Sequence, residues 1–232
     1  MKLVNFMNLY KKKYFDYLDL DIVGYEEVMT LQKNLHKKRC DEIIQDTILV
    51  LQHPNILTLG KNANNSGIIA DQSKLRDLEV EIHQTDRGGQ VTYHGPGQLV
   101  IYFIVNIKKL NYGPVDFVRK IEDVMICLLA EYGIKSHRVK KEIGVWLGGN
   151  EGQRLSNNLR KIGAIGLKVS SGVSMHGLSL NICPDLSYYD LIIPCGIENM
   201  KSTSLSKEKK TDIDMNEVIE KILNLIEKHI YR

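Results

Sequence analysis

Cys195 stands in the tripeptide Pro194-Cys195-Gly196, directly after the apolar run Leu191, Ile192 and Ile193. A strand-like run broken by proline, with glycine on the far side, holds a thiol on a ledge where the backbone can turn sharply. The thiolate is the nucleophilic form of cysteine, so this placement suits covalent catalysis. A free cysteine is also a common small buried hydrophobe, and the tripeptide alone leaves both readings open. Lys161 is the second candidate, at the start of the small, apolar run Ile162-Gly163-Ala164-Ile165-Gly166. Little water would compete there for its ammonium. Burial lowers a lysine pKa, and a nearby thiolate is a natural partner for the charged form. The plain alternative is a strand-end lysine in water.

A third concentration of unusual residues runs from Thr85 to Gln98, with four glycines and one proline set between two expected strands. Such a stretch reads as a long shaped loop. Gly88-Gly89 would let backbone N–H groups approach a ligand, and Arg87 is able to hold an anionic group. His94, before a Gly-Pro-Gly turn, would donate to a carbonyl or order the loop; a plain hairpin with a satisfied histidine is the other reading. His176-Gly177 repeats the His-Gly pairing, and His53 before Pro54 reads as a loop-fixing histidine. The motifs of several chemistries are missing. There is no G-x-G-x-x-G opening a helix, no P-loop, no H-E-x-x-H and no G-x-S-x-G.

The elements that must position these residues are legible in outline. Gly24 to Asp46 is expected as an amphipathic helix on Val28, Leu31 and Leu35, and Asp116 to Tyr132 as a second, closed by Gly133. Asp212 or Asp214 caps a final helix carrying Val218, Ile222, Leu225 and Ile226. Strands are expected at Thr47–Leu51, Ile56–Leu59, Glu79–His83, Gln98–Asn106, Ile143–Leu147, Ile162–Val169 and Met175–Ile182. Gln98–Asn106 is apolar on both faces and therefore central. Gly148–Asn158 and Lys201–Lys210 read as polar loops. Strands outnumber helices and several are hairpins, which favours α+β over a doubly wound sheet.

The chain has 232 residues, 43% of them hydrophobic and 25% charged, as expected of one large domain spanning 1–232. Cys40, Cys127, Cys183 and Cys195 are widely spaced, which points to a reducing compartment and away from a structural zinc site. No apolar stretch approaches the roughly 20 residues of a membrane span. Met1 to Tyr14 is basic without the apolar core of a secretory signal; Lys11-Lys12-Lys13 reads as a solvated start or the trace of an organellar leader. A net charge of +3 is too weak to imply nucleic acid but is compatible with a basic face for an acidic partner.

These motifs resemble those of the lipoyl(octanoyl) transferase family, from about Tyr25 to Leu205. The resemblance is carried by His53-Pro54 with Thr58-Leu59-Gly60, by the segment Arg87 to Gln98, and by Lys161-Ile162 with Ile165-Gly166. His176-Gly177 with Asn181 adds to it, as does Pro194-Cys195-Gly196-Ile197 followed by Thr203-Ser204-Leu205. It implies a mixed β-sheet flanked by helices, the α+β fold of the biotin/lipoate protein ligase-like catalytic domain. It implies that Cys195 carries an acyl thioester and that Lys161 lowers its pKa. The acyl substrate would be wrapped by Arg87, Gly88, Gly89, Gln90, Val91, Thr92, Tyr93 and His94, by Ala164, Ile165 and Gly166, and by Gly177, Leu178 and Ser179.

The implied donor is octanoyl-acyl carrier protein. The implied acceptors are lipoyl domains of 2-oxoacid dehydrogenase complexes and the glycine cleavage H protein, with no cofactor or metal. The expected location is the cytoplasm, or an organellar matrix or plastid in a eukaryote. Lys61 stands where arginine is common, Tyr188-Tyr189 replaces a phenylalanine region, and Gly148–Asn158 is long for the family. An ATP-dependent lipoate or biotin protein ligase is the alternative; it shares the fold but works through an adenylate and needs no catalytic cysteine. A non-catalytic module that binds acyl carrier or lipoyl domains is the third reading.

Overall fold

Two strands with apolar residues on both sides set the architecture of the chain, whose computed structural model describes residues 8–63, 67–149, 158–193 and 201–232. The first half runs β1 (Asn8–Lys11), β2 (Asp16–Ile22), α1 (Tyr25–Cys40), β3 (Thr47–Gln52), β4 (Ile56–Leu59), α2 (Gln72–Asp77), β5 (Glu81–Gln84), β6 (Val91–His94) and β7 (Gln98–Ile104). Then come α3 (Pro114–Glu131), β8 (His137–Val139), β9 (Glu142–Leu147), β10 (Arg160–Ser170), β11 (Val173–Asn181), a 3-10 turn (Leu186–Leu191), β12 (Lys201–Ser202), α4 (Leu205–Lys209) and α5 (Met215–Ile230).

The large sheet has the order β1-β2-β3-β7-β11-β10-β9-β8, with β12 added beside β10. It is mixed: β2–β3 and β10–β12 are parallel and the other neighbours antiparallel. Side chains alternate across a strand, so β3 sends Ile48 and Val50 to one face and Leu49 and Leu51 to the other. In β7, Leu99, Ile101 and Phe103 face the first side, Val100 and Tyr102 the second. Helices α3 and α5 cover the first face with Phe117, Ile121, Met125, Leu128, Val218, Ile222 and Ile226. Helix α1 covers the second with Val28, Leu31 and Leu35. This is the expected mixed sheet flanked by helices, with Gln98–Ile104 central.

A small sheet, β5-β4-β6, packs its own apolar cluster of Leu57, Leu59, Leu75, Val91 and Tyr93. Ile68 and Ile192 form a bridge beside it. Its last strand leads directly into β7, so the Thr85–His94 segment is held between the two sheets.

Several expected bounds change. Helix α1 ends at Cys40 rather than Asp46, because Asp46 is drawn away to accept from Arg39 Nε at 2.6 Å and from the Asn106 backbone at 2.9 Å. Glu79 turns with φ +52, so β5 starts at Glu81. Leu191–Ile193 is not a strand; a 3-10 turn ends at Leu191 and only Ile192 bridges. Lys201–Lys210 is not a plain loop: Lys201–Ser202 pairs with β10, and Ser204 caps α4 by accepting from the Lys207 amide. Asp214, rather than Asp212, caps α5. Among the described residues no helix is long and apolar enough to cross a membrane.

Candidate active site

A cavity of about 760 Å³ lies between β10 and β11 on one side and the Arg87–His94 segment on the other. Lys161 and every residue expected to wrap the substrate line it, except Tyr93. Tyr93 points into the small sheet instead, donating to Asn55 Oδ1 at 2.8 Å and stacking on Tyr188 at 5.0 Å. The volume falls in the ordinary range for small-ligand pockets.

The cavity floor is narrow because two glycines pair across β10 and β11, Gly166 with Gly177. A Cβ on Gly177 would stand 2.0 Å from Ile101 O, and one on Gly166 would stand 2.7 Å from Gly88 O. Lacking both, the Arg87–Gly89 backbone lies down on the sheet and the Gly88 amide donates to Leu167 O at 3.1 Å.

Arg87 fastens that loop. Its guanidinium donates to Thr58 O at 2.7 Å, Thr58 Oγ1 at 2.8 Å, Gln90 O at 2.8 Å and Gly88 O at 3.0 Å. The side chain expected to hold an anion is therefore engaged with the protein backbone around it. Asp86 accepts from Lys168 Nζ at 2.6 Å and His176 Nε2 at 2.8 Å. Burial works to raise its pKa, but those two hydrogen bonds outweigh it and bring Asp86 down to about 2.

The histidines are structural as well as cavity-facing. His94 Nδ1 donates to Gln98 Oε1 at 2.6 Å, and burial, with His53 and Arg87 adding to it, pushes its pKa down to about 3. His53 Nδ1 donates to Val23 O at 2.7 Å and Nε2 accepts from the Tyr102 hydroxyl at 2.8 Å; burial lowers it to about 4. His176 is held low by burial against the pull of Asp86, and takes a positive φ of +59. All three are neutral at pH 7.

Lys161 is different. It is 8% exposed, and its Nζ lies 4.8 Å from the centre of the Trp146 ring, its cross-strand partner. An ammonium over an indole face is attracted by the ring quadrupole. Low exposure matches the expectation of a dry setting for this side chain. The lysine carbonyl accepts from the Thr203 amide at 2.9 Å, and Lys161 pairs with Ser202 in the parallel β10–β12 register.

Cys195, with Pro194 and Gly196, lies outside the described residues, as do the N-terminal residues 1–7 and most of the Gly148–Asn158 stretch. Its described flanks are informative. Ile193 donates its amide to Gly67 O at 2.8 Å, and Lys201 pairs with Arg160, the neighbour of Lys161. Arg160 in turn grips Glu208 through Nε and Nη2, each at 2.6 Å, which fixes the chain just after the cysteine segment.

Two site residues escaped the sequence reading. Trp146, the chain's single tryptophan, ends an apolar strand and reads as core. Gly144 interrupts that strand, and an isolated glycine in a strand is a signal of close backbone approach.

The chain matches the lipoyl protein ligase A/B catalytic domain over residues 24–227. It is 40% identical over 201 residues to the mitochondrial octanoyltransferase of Arabidopsis thaliana, covering 86% of this chain and 81% of that protein. Its fold is similar to that of a bipartite lipoate protein ligase from Thermoplasma acidophilum, with a TM-score of 0.65 at 11% identity, covering 96% of this chain and 85% of that one. A biotin protein ligase from Aquifex aeolicus is also similar, with a TM-score of 0.52 at 16% identity over 95% of this chain and 70% of that one.

Proposed function

Since the chain belongs to the octanoyltransferase family, and is thus an acyltransferase, we propose that it moves an octanoyl group from acyl carrier protein to a lysine of lipoyl domains through a thioester on Cys195. The observation that carries this reading is Lys161: a nearly buried amine at the wall of a pocket-sized cavity, on the strand beside which the chain after Cys195 returns. Six residues separate Cys195 from Lys201, a reach of at most about 20 Å, so the thiol is tethered to the neighbourhood of that amine.

A free thiol is only a few per cent thiolate at neutral pH. The Lys161 ammonium favours the thiolate, or the neutral amine takes its proton. The Cys195 sulfur then attacks the octanoyl carbonyl, the bond to the carrier's phosphopantetheine sulfur breaks, and that thiol leaves with a proton. In the second half the ε-amine of the acceptor lysine attacks octanoyl-S-Cys195. An amide forms, the Cys195 thiolate departs, and Lys161 is placed to take the proton that the amine loses. Exchange between thioesters is nearly balanced and thioester-to-amide transfer runs downhill, so the reaction needs no ATP.

The apolar stretch of the cavity, through Val118, Ile165 and Leu167, suits the acyl chain. Burying it contributes about 0.8 kcal/mol per methylene. The acceptors we infer are the lipoyl domains of 2-oxoacid dehydrogenase complexes and the H protein of glycine cleavage. The Thermoplasma ligase was solved as part of a system with its E2 lipoyl domain. We place the activity in one domain of the whole chain, working in a reducing cytoplasm or organellar matrix.

The deciding experiment is the intact mass of the full chain after incubation with octanoyl-acyl carrier protein. A gain of one octanoyl group, released by hydroxylamine and absent from Cys195→Ser, is expected. No adduct, together with ATP-dependent modification of a lipoyl domain by free octanoate, would replace this reading with that of a ligase.

A further inference from the structure

Glu122 lies in the middle of α3 with no solvent exposure, and both of its oxygens are engaged. Oε2 accepts from Arg119 Nη1 and Arg138 Nε, each at 2.7 Å. Oε1 accepts the backbone amide of Gly144 at 3.0 Å. A buried carboxylate carries a desolvation cost of several kcal/mol and is tolerated only where its partners are well placed. Here it reaches out of a helix to fix one amide of β9, the strand paired with the start of β10.

That amide belongs to the residue against which the Lys161 side chain rests. Gly144 has φ +118, and a Cβ there would stand 2.4 Å from Gly163 O, 2.7 Å from Lys161 Cε and 3.3 Å from Lys161 Nζ. Only glycine leaves room for the lysine stem at this point. Opposite it, the β9–β10 register slips by one residue between Lys161 and Gly163, a bulge that re-aims the side chains on either side. The lysine stem thus passes over a kinked, side-chain-free piece of β9 and ends with Nζ above Trp146.

We propose that Glu122 is a positioning residue for Lys161: by anchoring the Gly144 amide it keeps the β9 kink that holds the lysine against Trp146 at the cavity wall. The kinetic half of this inference rests on the proposed acid–base role of Lys161; the geometric half does not. A misplacement of about 1 Å costs a catalytic group on the order of 100-fold in rate. Losing the anchor therefore slows the chemistry far more than it weakens binding of the acyl donor.

Trp146 gives a readout independent of activity, because its emission is the only tryptophan signal of the chain. In the full chain, Glu122→Gln is expected to move that emission toward the spectrum of Lys161→Ala. It should also lower acylation by an octanoyl thioester about tenfold or more at pH 7, with KM for the donor changed by less than about twofold. The pH midpoint of acylation should move upward, since a displaced ammonium no longer favours the thiolate. A folded Glu122→Gln protein with wild-type emission and an unmoved pH profile would overturn the proposal.

Should Glu122→Gln not fold, Gly144→Ala presses on the same lysine stem while leaving the carboxylate in place. It should reproduce the changed emission and the alkaline shift, and unchanged emission would overturn the proposal equally. If both variants alter the emission while Lys161→Ala leaves the pH profile of acylation unmoved, the acid–base role of Lys161 falls and the positioning by Glu122 stands.

Discussion

On the cavity wall built by the Thr85–His94 segment, Arg87, Asp86 and His94 are bound to other protein groups, and burial keeps His94 neutral at pH 7. On the wall built by β9 and β10, one cation lies over an aromatic ring in a berth cut by a glycine. The residue types most suggestive of chemistry, histidine and arginine, thus serve as fasteners here. The less conspicuous lysine has the setting of a reagent. Hydrogen bonds that satisfy a buried polar group also immobilise it, which suits a wall better than a proton carrier.

The contrast is sharpest in a pair of substitutions. Lys161→Ala should cut acylation by on the order of 100-fold or more at neutral pH, with partial recovery at alkaline pH as the thiol ionises unaided. Its melting temperature should stay close to wild type, because β10 keeps its ladder on both sides. Arg87→Lys should do the reverse. A single ammonium cannot reproduce the fork that reaches Thr58, Gly88 and Gln90, so stability should fall by about 3 kcal/mol. The pH profile of acylation should keep its midpoint. Equal thermal losses in the two variants, or a flat pH response in Lys161→Ala, would erase the distinction between the walls.

Much of this was legible in the chain. Leu99-Val100-Ile101-Tyr102-Phe103 is apolar at both parities, so a central strand with helices on each side follows from alternation alone. The glycine pair Gly166 and Gly177 was visible as residues, but not as a pair, because β10–β11 register depends on where the turn at Ser171-Gly172 falls. Lys201–Lys210 looks like a polar loop because only Leu205 of α4 is buried. Strand β2 carries the alternation Leu18-Asp19-Leu20-Asp21-Ile22, a period-two signal thinned by its mostly half-exposed setting. The link from Glu122 to Gly144 to Lys161 joins residues that are distant in sequence, and no local spacing announces it.

Acid titration tests the fastened wall as a whole. His53 and His94 have folded pKa values of about 4 and about 3, below the 6.5 of the unfolded chain. The unfolded state therefore binds more protons, and stability is fully present above about pH 6.5 and lost as pH falls toward 4. Each buried histidine is worth on the order of 3 kcal/mol over that range, and their rings are 5.8 Å apart, so the two contributions are coupled rather than additive. The urea midpoint should drop steeply between pH 6.5 and 4. Asp86, at about 2, adds its own loss only below the ordinary carboxylate range. A urea midpoint that holds steady to pH 4 would mean that the histidines are solvated and that the wall is looser than its hydrogen bonds imply.

The smallest effect belongs to the other anchor of the same loop. Lys168 bonds Asp86 at 2.6 Å, but the two side chains are 41% and 44% exposed. An ion pair so placed contributes about 0.5 kcal/mol and is screened by salt. Lys168→Ala should lower the melting temperature by only about 1–2 °C at low ionic strength, with the difference shrinking as salt is added. Asp86 keeps its bond to the buried His176, so the loop retains its inner tie when the outer one is removed. Were Lys168→Ala to cost as much as Arg87→Lys, the loop would be held from its solvent edge, and the buried Arg87 fork would be a consequence of the loop's position rather than its cause.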